Sequence, residues 1–254
     1  MKIVYLVPGP MNNEEMARRG ALLKQWAAPG VEVDIAGVSQ GPASIESMYE
    51  EYLSIPETAK EVYRLEQEGV DAVILGCAGD PGLDAYREIT TNMAIVGPAA
   101  SSYHTAALLG HQFSVLTVTD STIASCYELV QKAGLSSKLG SVKAVNIPVL
   151  ELAEDRDATL NKLVAIAKEA MEQDRADSLV LGCMSMGFLN VAEDMQKILG
   201  LPVINPSKNA LKVAEALVGG GLSHSNKAYL TPPKLASGKV KSLDDLLVQK
   251  TVQP

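Results

Sequence analysis

Short apolar runs rich in Val, Ile and Leu alternate along the chain with longer segments of helical period. The first four runs are Ile3 to Val7, Val31 to Val38, Ala72 to Leu75 and Met93 to Val96. Strands buried on both faces of a parallel sheet read as such runs, and the segments between them supply the crossover helices. The spacing predicts those helices over 13–27, 44–68 and 83–91, and Gly30, Gly69 and Gly110 stand where helices should stop.

The same order then begins again. Strands are expected over 113–118, 142–147, 178–181 and 202–204, with helices over 122–132, 155–173, 191–199 and 207–218. The closest internal match sets Asp71-Ala-Val-Ile-Leu-Gly-Cys77 against Asp177-Ser-Leu-Val-Leu-Gly-Cys183, at a constant offset of 106 residues. Both segments fall at the third strand of their half, so the chain reads as a duplication. The expected fold is α/β, with two pseudo-symmetric Rossmann- or flavodoxin-like lobes, residues 1–110 and 111–220. Each lobe carries a mainly parallel four-stranded sheet, and the active site lies in the cleft between them. The helix near 207–218 is a candidate for packing back on the first lobe. Residues 221–254 form a tail with one short amphipathic stretch, 242–249, expected to serve as a contact between copies in a homo-oligomer.

Composition narrows the function. A chain of 254 residues, 47% hydrophobic and 20% charged, can bury a sizeable core. Its formal charge is −8, with Lys and Arg scattered along helical faces, which argues against nucleic acid and anionic membranes and for a small-molecule ligand. The first apolar run ends at Pro8-Gly9-Pro10, too short for a membrane span and without a signal-peptide cleavage pattern. Three cysteines, far apart and odd in number, form neither a disulfide framework nor a CxxC pair, and a cytoplasmic protein is expected. His104, His111 and His224 lack ligand spacing, so no metal is expected.

Cys77 and Cys183 each stand between a buried strand and a glycine-rich or small-residue turn. In open α/β sheets ligands bind beyond the carboxyl ends of the strands, so a pseudo-two-fold arrangement turns both thiols toward one cleft. Free N–H groups there favour an anion and are expected to bring a thiol down toward neutrality. Inverting a stereocentre by deprotonation needs a base on one face of the carbon and an acid on the other, which two opposed thiols supply. The adjacent carbonyl needs donors that strengthen as the enolate forms. Candidates are the backbone at Ala78, Gly79, Met184 and Ser185, together with Ser44, Thr117 and Thr119. Cys126 reads as structural, and Asp80 as either a cleft group or a turn and capping residue. A phosphatase loop is excluded, because the sixth residue after each cysteine is Leu83 or Leu189 where an Arg is required.

Gly41-Pro42-Ala43-Ser44-Ile45-Glu46-Ser47, Gly76-Cys77-Ala78-Gly79-Asp80-Pro81-Gly82-Leu83-Asp84 and Leu181-Gly182-Cys183 resemble segments of the aspartate/glutamate racemase superfamily, within it the hydantoin and allantoin racemases. The resemblance covers nearly the whole chain. It implies a cofactor-independent two-cysteine mechanism in two α/β lobes, with Cys77 and Cys183 carrying the proton transfers and the 41–47 loop near the substrate. Glutamate racemases carry an acidic residue where this chain has Pro8-Gly9 and a histidine where it has Ser185, so free amino acids are expected to be poor substrates. Val7-Pro8-Gly9-Pro10-Met11-Asn12, where hydantoin racemases usually read Asn-Pro-Asn-Thr/Ser, and Met184-Ser185, where they usually have Ala-Gly, depart from that pattern, and Pro8, Met184 and Ser185 are expected in the ligand pocket. The expected activity is racemisation of a hydantoin, allantoin or a related compound. Alternatives are an enzyme resembling maleate isomerase or arylmalonate decarboxylase, and a non-catalytic ligand-binding protein.

Overall fold

The computed structural model describes residues 1–246, so the 247–249 part of the amphipathic stretch lies outside the described residues. Among the described residues eight strands form two four-stranded sheets. In the first, β1 (Lys2–Val7), β2 (Glu32–Gly37), β3 (Ala72–Leu75) and β4 (Ala94–Val96) lie in the order β2-β1-β3-β4. The second sheet repeats that order as β6-β5-β7-β8, from β5 (Phe113–Thr117), β6 (Leu139–Ala144), β7 (Ser178–Leu181) and β8 (Val203–Ile204). All neighbouring pairs are parallel. The central strands β3 and β7 are buried at every position, which is why their sequence is continuously apolar.

The repeated heptapeptide has the same work in both halves. Asp71 Oδ2 accepts from the backbone N–H of Lys2 at 2.7 Å, and Asp177 accepts from those of His111 and Gln112, tying the start of the third strand to the start of the first. Gly76 and Gly182 donate their N–H groups to the Leu6 and Leu116 carbonyls at 2.7 and 2.8 Å. Each sheet therefore ends with its cysteine at the same place.

Helices α1 (Asn13–Trp26), α2 (Met48–Gln67) and α3 (Leu83–Glu88) flank the first sheet. A helix the periodicity did not predict, α4 (Pro98–Leu109), follows β4. Next come α5 (Ile123–Lys132), α6 (Arg156–Gln173), a short α7 (Met184–Phe188), α8 (Val191–Leu199) and α9 (Pro206–Gly219). The last helices of the two halves are exchanged. Ala99, Tyr103 and Ala106 of α4 join the core around Phe113, Val115 and Val180 of the second sheet. Reciprocally, Ala210, Leu211 and Ala214 of α9 pack with Ile3, Tyr5 and Ile74 of the first. Packing therefore crosses the sequence boundary at residue 110.

Two boundaries differ from the sequence expectation for local reasons. Helix α2 starts at Met48, not near 44, because Ser47 caps it: its hydroxyl accepts from Glu50 N–H, and Glu50 Oε2 accepts from Ser47 Oγ and Glu46 N–H. Strand β6 lies about three residues earlier than the apolar run suggests. It ends at Ala144, and Asn146 then takes a left-handed φ of 53° that turns the chain away. The tail runs back over the first lobe, where Tyr229 Oη accepts from Arg87 at 2.9 Å and His224 lies 3.1 Å from the Thr90 carbonyl. Among the described residues no helix is long and apolar enough to cross a membrane.

Candidate active site

The carboxyl ends of the two sheets face each other across a cavity of about 450 Å3. Cys77 and Cys183 both line it, one from each lobe. Pro8, Ser44, Ala78, Gly79, Thr117, Met184 and Ser185 line the same cavity. Thr119 does not, and its hydroxyl pairs with Ser121 Oγ at 2.9 Å outside. Cys126 reaches the wall while packing in the core with Tyr103 and Val130, where burial pushes its thiol up to about 11.

The cavity is closed by segments that span the lobes. Beyond β2 the 42–45 loop forms one wall, and it is anchored to the second lobe where Glu46 accepts from Ser121 Oγ at 2.7 Å and from Val149 N–H at 2.8 Å. From α1, Arg18 donates to the Phe188 carbonyl at 2.9 Å and Arg19 donates to Ser185 Oγ at 3.1 Å. The Arg19 guanidinium also lies 4.8 Å from the Phe188 ring centroid and pairs with Glu15 at 2.7 Å. Phe188 in turn meets Tyr5 edge to face and stacks on Trp26.

Asp80 belongs to the scaffold. It is buried, and its carboxylate accepts from Ala99 and Ala100 N–H at 2.9 Å each, capping α4, whose N-cap residue Gly97 has no side chain to do so. Burial holds that carboxyl up at about 6 against those two bonds.

The thiols are not brought down toward neutrality, contrary to the expectation from turn N–H groups. Burial pushes Cys77 well above the usual thiol range, against one bond from Gly79 N–H at 3.4 Å, and the charges of Glu51 and Cys183 push the same way. Burial also raises Cys183, where Met186 and Ser185 N–H groups and the Arg19 charge oppose it. Loss of water around the sulfur outweighs a few amide dipoles.

Four charged groups on the wall were not among the residues expected from the sequence: Glu15, Arg18, Arg19 and Glu51. Glu51 sits in the first turn of α2, with no hydrogen-bond partner for its carboxylate among the described residues. Burial, then the charges of Asp80 and Glu128, raise it to about 7. The Ser47-x-x-Glu50 cap just before it was the available signal, since it fixes which face of the helix Glu51 occupies.

A β-carbon built on Gly79 would lie 2.6 Å from Glu51 Oε1 and 3.5 Å from Cys77 Sγ, so carboxyl and sulfur face one small volume. Chemically, the cavity offers two thiols from opposed lobes, N–H groups beside each, the Arg18 and Arg19 cations paired with Glu15, and the Glu51 carboxyl. On the second-lobe side an apolar patch of Val118, Leu129, Leu152 and Leu189 stands beside the hydroxyl-bearing residues Thr117, Thr122 and Ser125.

Comparison with known proteins agrees with this architecture. The Asp/Glu/Hydantoin racemase family model matches residues 9–214. A hydantoin racemase from Pseudomonas sp. (strain NS671) is 37% identical over 212 residues, covering 83% of this chain and 84% of that one. Two solved structures superpose closely. An allantoin racemase from Klebsiella pneumoniae gives a TM-score of 0.85 at 28% identity, over 92% of this chain and 94% of that one. An allantoin racemase from Pseudomonas fluorescens gives 0.84 at 30% identity, over 92% and 97%. With the match spanning both sheets and the cavity between them, the chain belongs to the Asp/Glu/hydantoin racemase family and is a racemase-type isomerase.

Proposed function

We propose that the enzyme racemises 5-substituted hydantoins by passing protons between Cys77 and Cys183, held on opposite faces of the ring. The observation that carries this reading is the convergence of the two cysteines, from equivalent strand ends, on one cavity. One thiolate removes the hydrogen at C5, and the electron pair moves into the adjacent carbonyl as an enolate. The opposite thiol then delivers its proton to the other face of C5. The product is the mirror-image hydantoin, and the two sulfurs have exchanged thiol and thiolate states. Only protons move, so the reaction needs no redox or group-carrying cofactor.

A neutral ring suits this site. No carboxylate charge opposes the enolate, so hydrogen-bond donors from the turns after each cysteine suffice to hold the developing oxyanion. A C5 substituent seated on the patch of Val118, Leu129, Leu152 and Leu189 is favoured as an alkyl or aryl group over the ureido group of allantoin, whose N–H and C=O groups would lose water against those four side chains without replacement.

The test is incubation of an enantiopure hydantoin in D2O, following optical rotation together with the C5 proton by NMR. Loss of rotation with deuterium uptake at C5 is the expected result. Retention of both rotation and the C5 proton across a panel of alkyl, aryl and ureido hydantoins would overturn the reading.

A further inference from the structure

The two thiols share one cavity but stand in opposite electrostatic surroundings. On the first-lobe side, the charges that bear on Cys77 are acidic: Glu51, facing the same volume at Gly79, and Asp80 three residues on. Glu51 itself is faced by two further carboxyl groups, Asp80 and Glu128, and the cations nearest that cluster, Arg87 and Lys132, bear on Asp80. Gly79 N–H is the one donor on the Cys77 sulfur among the described residues. On the other side, Cys183 receives two N–H groups, from Ser185 and Met186, and feels the Arg19 guanidinium. Arg19 is nearly buried, and its bond to Ser185 Oγ and its place over Phe188 fix it against the turn that begins at Cys183. Glu15 offsets part of its charge from the far side, and Arg18 adds a second cation to that cluster.

We propose that Glu51 and Arg19 divide the roles of the pair: the Arg19 charge selects Cys183 as the seat of the single thiolate, and the Glu51 carboxylate keeps Cys77 as the thiol. A two-base racemisation needs one sulfur in each state, and two equivalent thiols would also populate the idle doubly protonated and doubly ionised forms. Asymmetric charges favour one arrangement between turnovers. A turnover that starts from the Cys183 thiolate leaves a thiolate on Cys77 and a proton on Cys183, a form that the opposite enantiomer uses directly or that repulsion from Glu51 returns to the starting one, with a proton lost from Cys183 and one gained by Cys77. Glu51 is thus a positioning residue, acting on substrate through Cys77. This inference rests on the two-thiol reading given above.

The test uses the full-length protein without substrate. Iodoacetamide is applied across a range of pH, and alkylation of each cysteine is followed by peptide mass spectrometry. Comparing the pH at which each profile rises, not the absolute rate, removes the difference in access between the two sulfurs. Cys183 is expected to gain reactivity at lower pH than Cys77. Glu51→Gln should speed Cys77 labelling roughly tenfold at fixed pH, the equivalent of about one pKa unit for a lost like charge, and leave the Cys183 profile in place. Glu51→Asp should keep the wild-type order, and Arg19→Gln should move Cys183 to higher pH. An unmoved Cys77 profile in Glu51→Gln with native circular dichroism, or Cys77 reacting ahead of Cys183 in the wild type, overturns the proposal. Profiles split as described in a protein that leaves every hydantoin untouched would sink the substrate reading and uphold this one.

Discussion

Gly76 lies edge-on against Leu6: its N–H donates to the Leu6 carbonyl at 2.7 Å, and a β-carbon in place of its hydrogen would stand 2.5 Å from that same oxygen and 2.9 Å from the Val7 α-carbon. Both obstacles are backbone of the central strand and cannot swing aside. At Gly182, the counterpart in the second lobe, the same carbon would meet Val115, Leu116 and Thr117 at 3.1 to 3.2 Å, a distance that small shifts relieve. Gly76→Ala should therefore cost about 2–3 kcal/mol and Gly182→Ala about 1 kcal/mol, scaled from overpacking in well-filled interiors. Urea unfolding of the two variants measures this. Equal destabilisation would show that the lobes tolerate the same insertion, contrary to their different clearances.

Removing either sulfur separates proton exchange from inversion. With Cys77→Ala or Cys183→Ala, one face of the ring loses its acid or base, and racemisation should fall by at least about a thousandfold, at the upper end for loss of a positioned proton-transfer group. The remaining thiol can still take the C5 proton of one enantiomer and return deuterium to the same face. Each variant should therefore exchange only one enantiomer in D2O, with rotation retained, and the two should choose opposite hands. Proton NMR with polarimetry reads both. A variant that still inverts either enantiomer at wild-type rate would end the two-thiol scheme.

The two parallel four-stranded sheets and the placement of Cys77 and Cys183 at equivalent strand ends were legible because they depend on short-range pattern. A continuous apolar run marks a doubly buried strand, and a repeated Gly-Cys marks its end. Helix α4 escaped because Pro98-Ala-Ala-Ser-Ser-Tyr has no strong apolar stripe, and because its burial against the other lobe's sheet depends on the exchange of helices. Glu15, Arg18, Arg19 and Glu51 escaped for a related reason. A charged residue in a polar helix segment reads as solvated, and only tertiary contacts turn these inward: Phe188 and Ser185 of the facing lobe hold the two arginines, and Gly79 and Cys77 face Glu51. Thr119 marks the limit of the strand-end rule: two residues past the end of β5 the backbone has already carried its hydroxyl toward Ser121.

Activity should climb with pH well past neutrality. Turnover begins only when one of the pair is a thiolate, and burial holds both Cys77 and Cys183 above the ordinary thiol range. Below the first ionisation the thiolate fraction grows about tenfold per pH unit, so kcat/KM should follow that slope from about pH 6 toward pH 8 and keep rising beyond. Initial rates across that range, in buffers of constant ionic strength, give the profile. A plateau already reached at pH 6 would mean that a thiol is ionised far more easily than its burial allows.

The apolar patch of Val118, Leu129, Leu152 and Leu189 makes a graded prediction about the C5 substituent. Each methylene moved from water to that surface contributes about 0.8 kcal/mol, roughly a factor of four. Lengthening the substituent from methyl through propyl should therefore raise kcat/KM stepwise, and an allantoin-type ureido group of similar length should fall behind. Kinetics on such a series tests it, as does Leu129→Asn, which should narrow the gap between alkyl and ureido substrates. A series without a trend, or a preference for the ureido group, would place the substituent elsewhere in the cavity.

Glu51 should make the folded protein less stable as pH rises, and its neutral isostere should remove that dependence. Its carboxyl is raised from 4.5 to about 7 on folding, chiefly by burial, so between those values the native state holds a proton that the unfolded chain releases. The stabilisation belongs to the neutral form. It is complete below the unfolded value near pH 4.5 and is lost as pH rises through about 7. Solvent reaches the half-buried carboxyl, so the loss is discounted to the order of 1 kcal/mol. Glu51→Gln should match the wild type near pH 4.5 and exceed it by that amount at pH 8, the direction expected where a site residue is kept for function at some expense of stability. Urea midpoints of both proteins at the two pH values give the difference. A gap of the same size at both, or a variant that weakens with rising pH as the wild type does, would show that Glu51 ionises freely in solvent and exerts no field on Cys77.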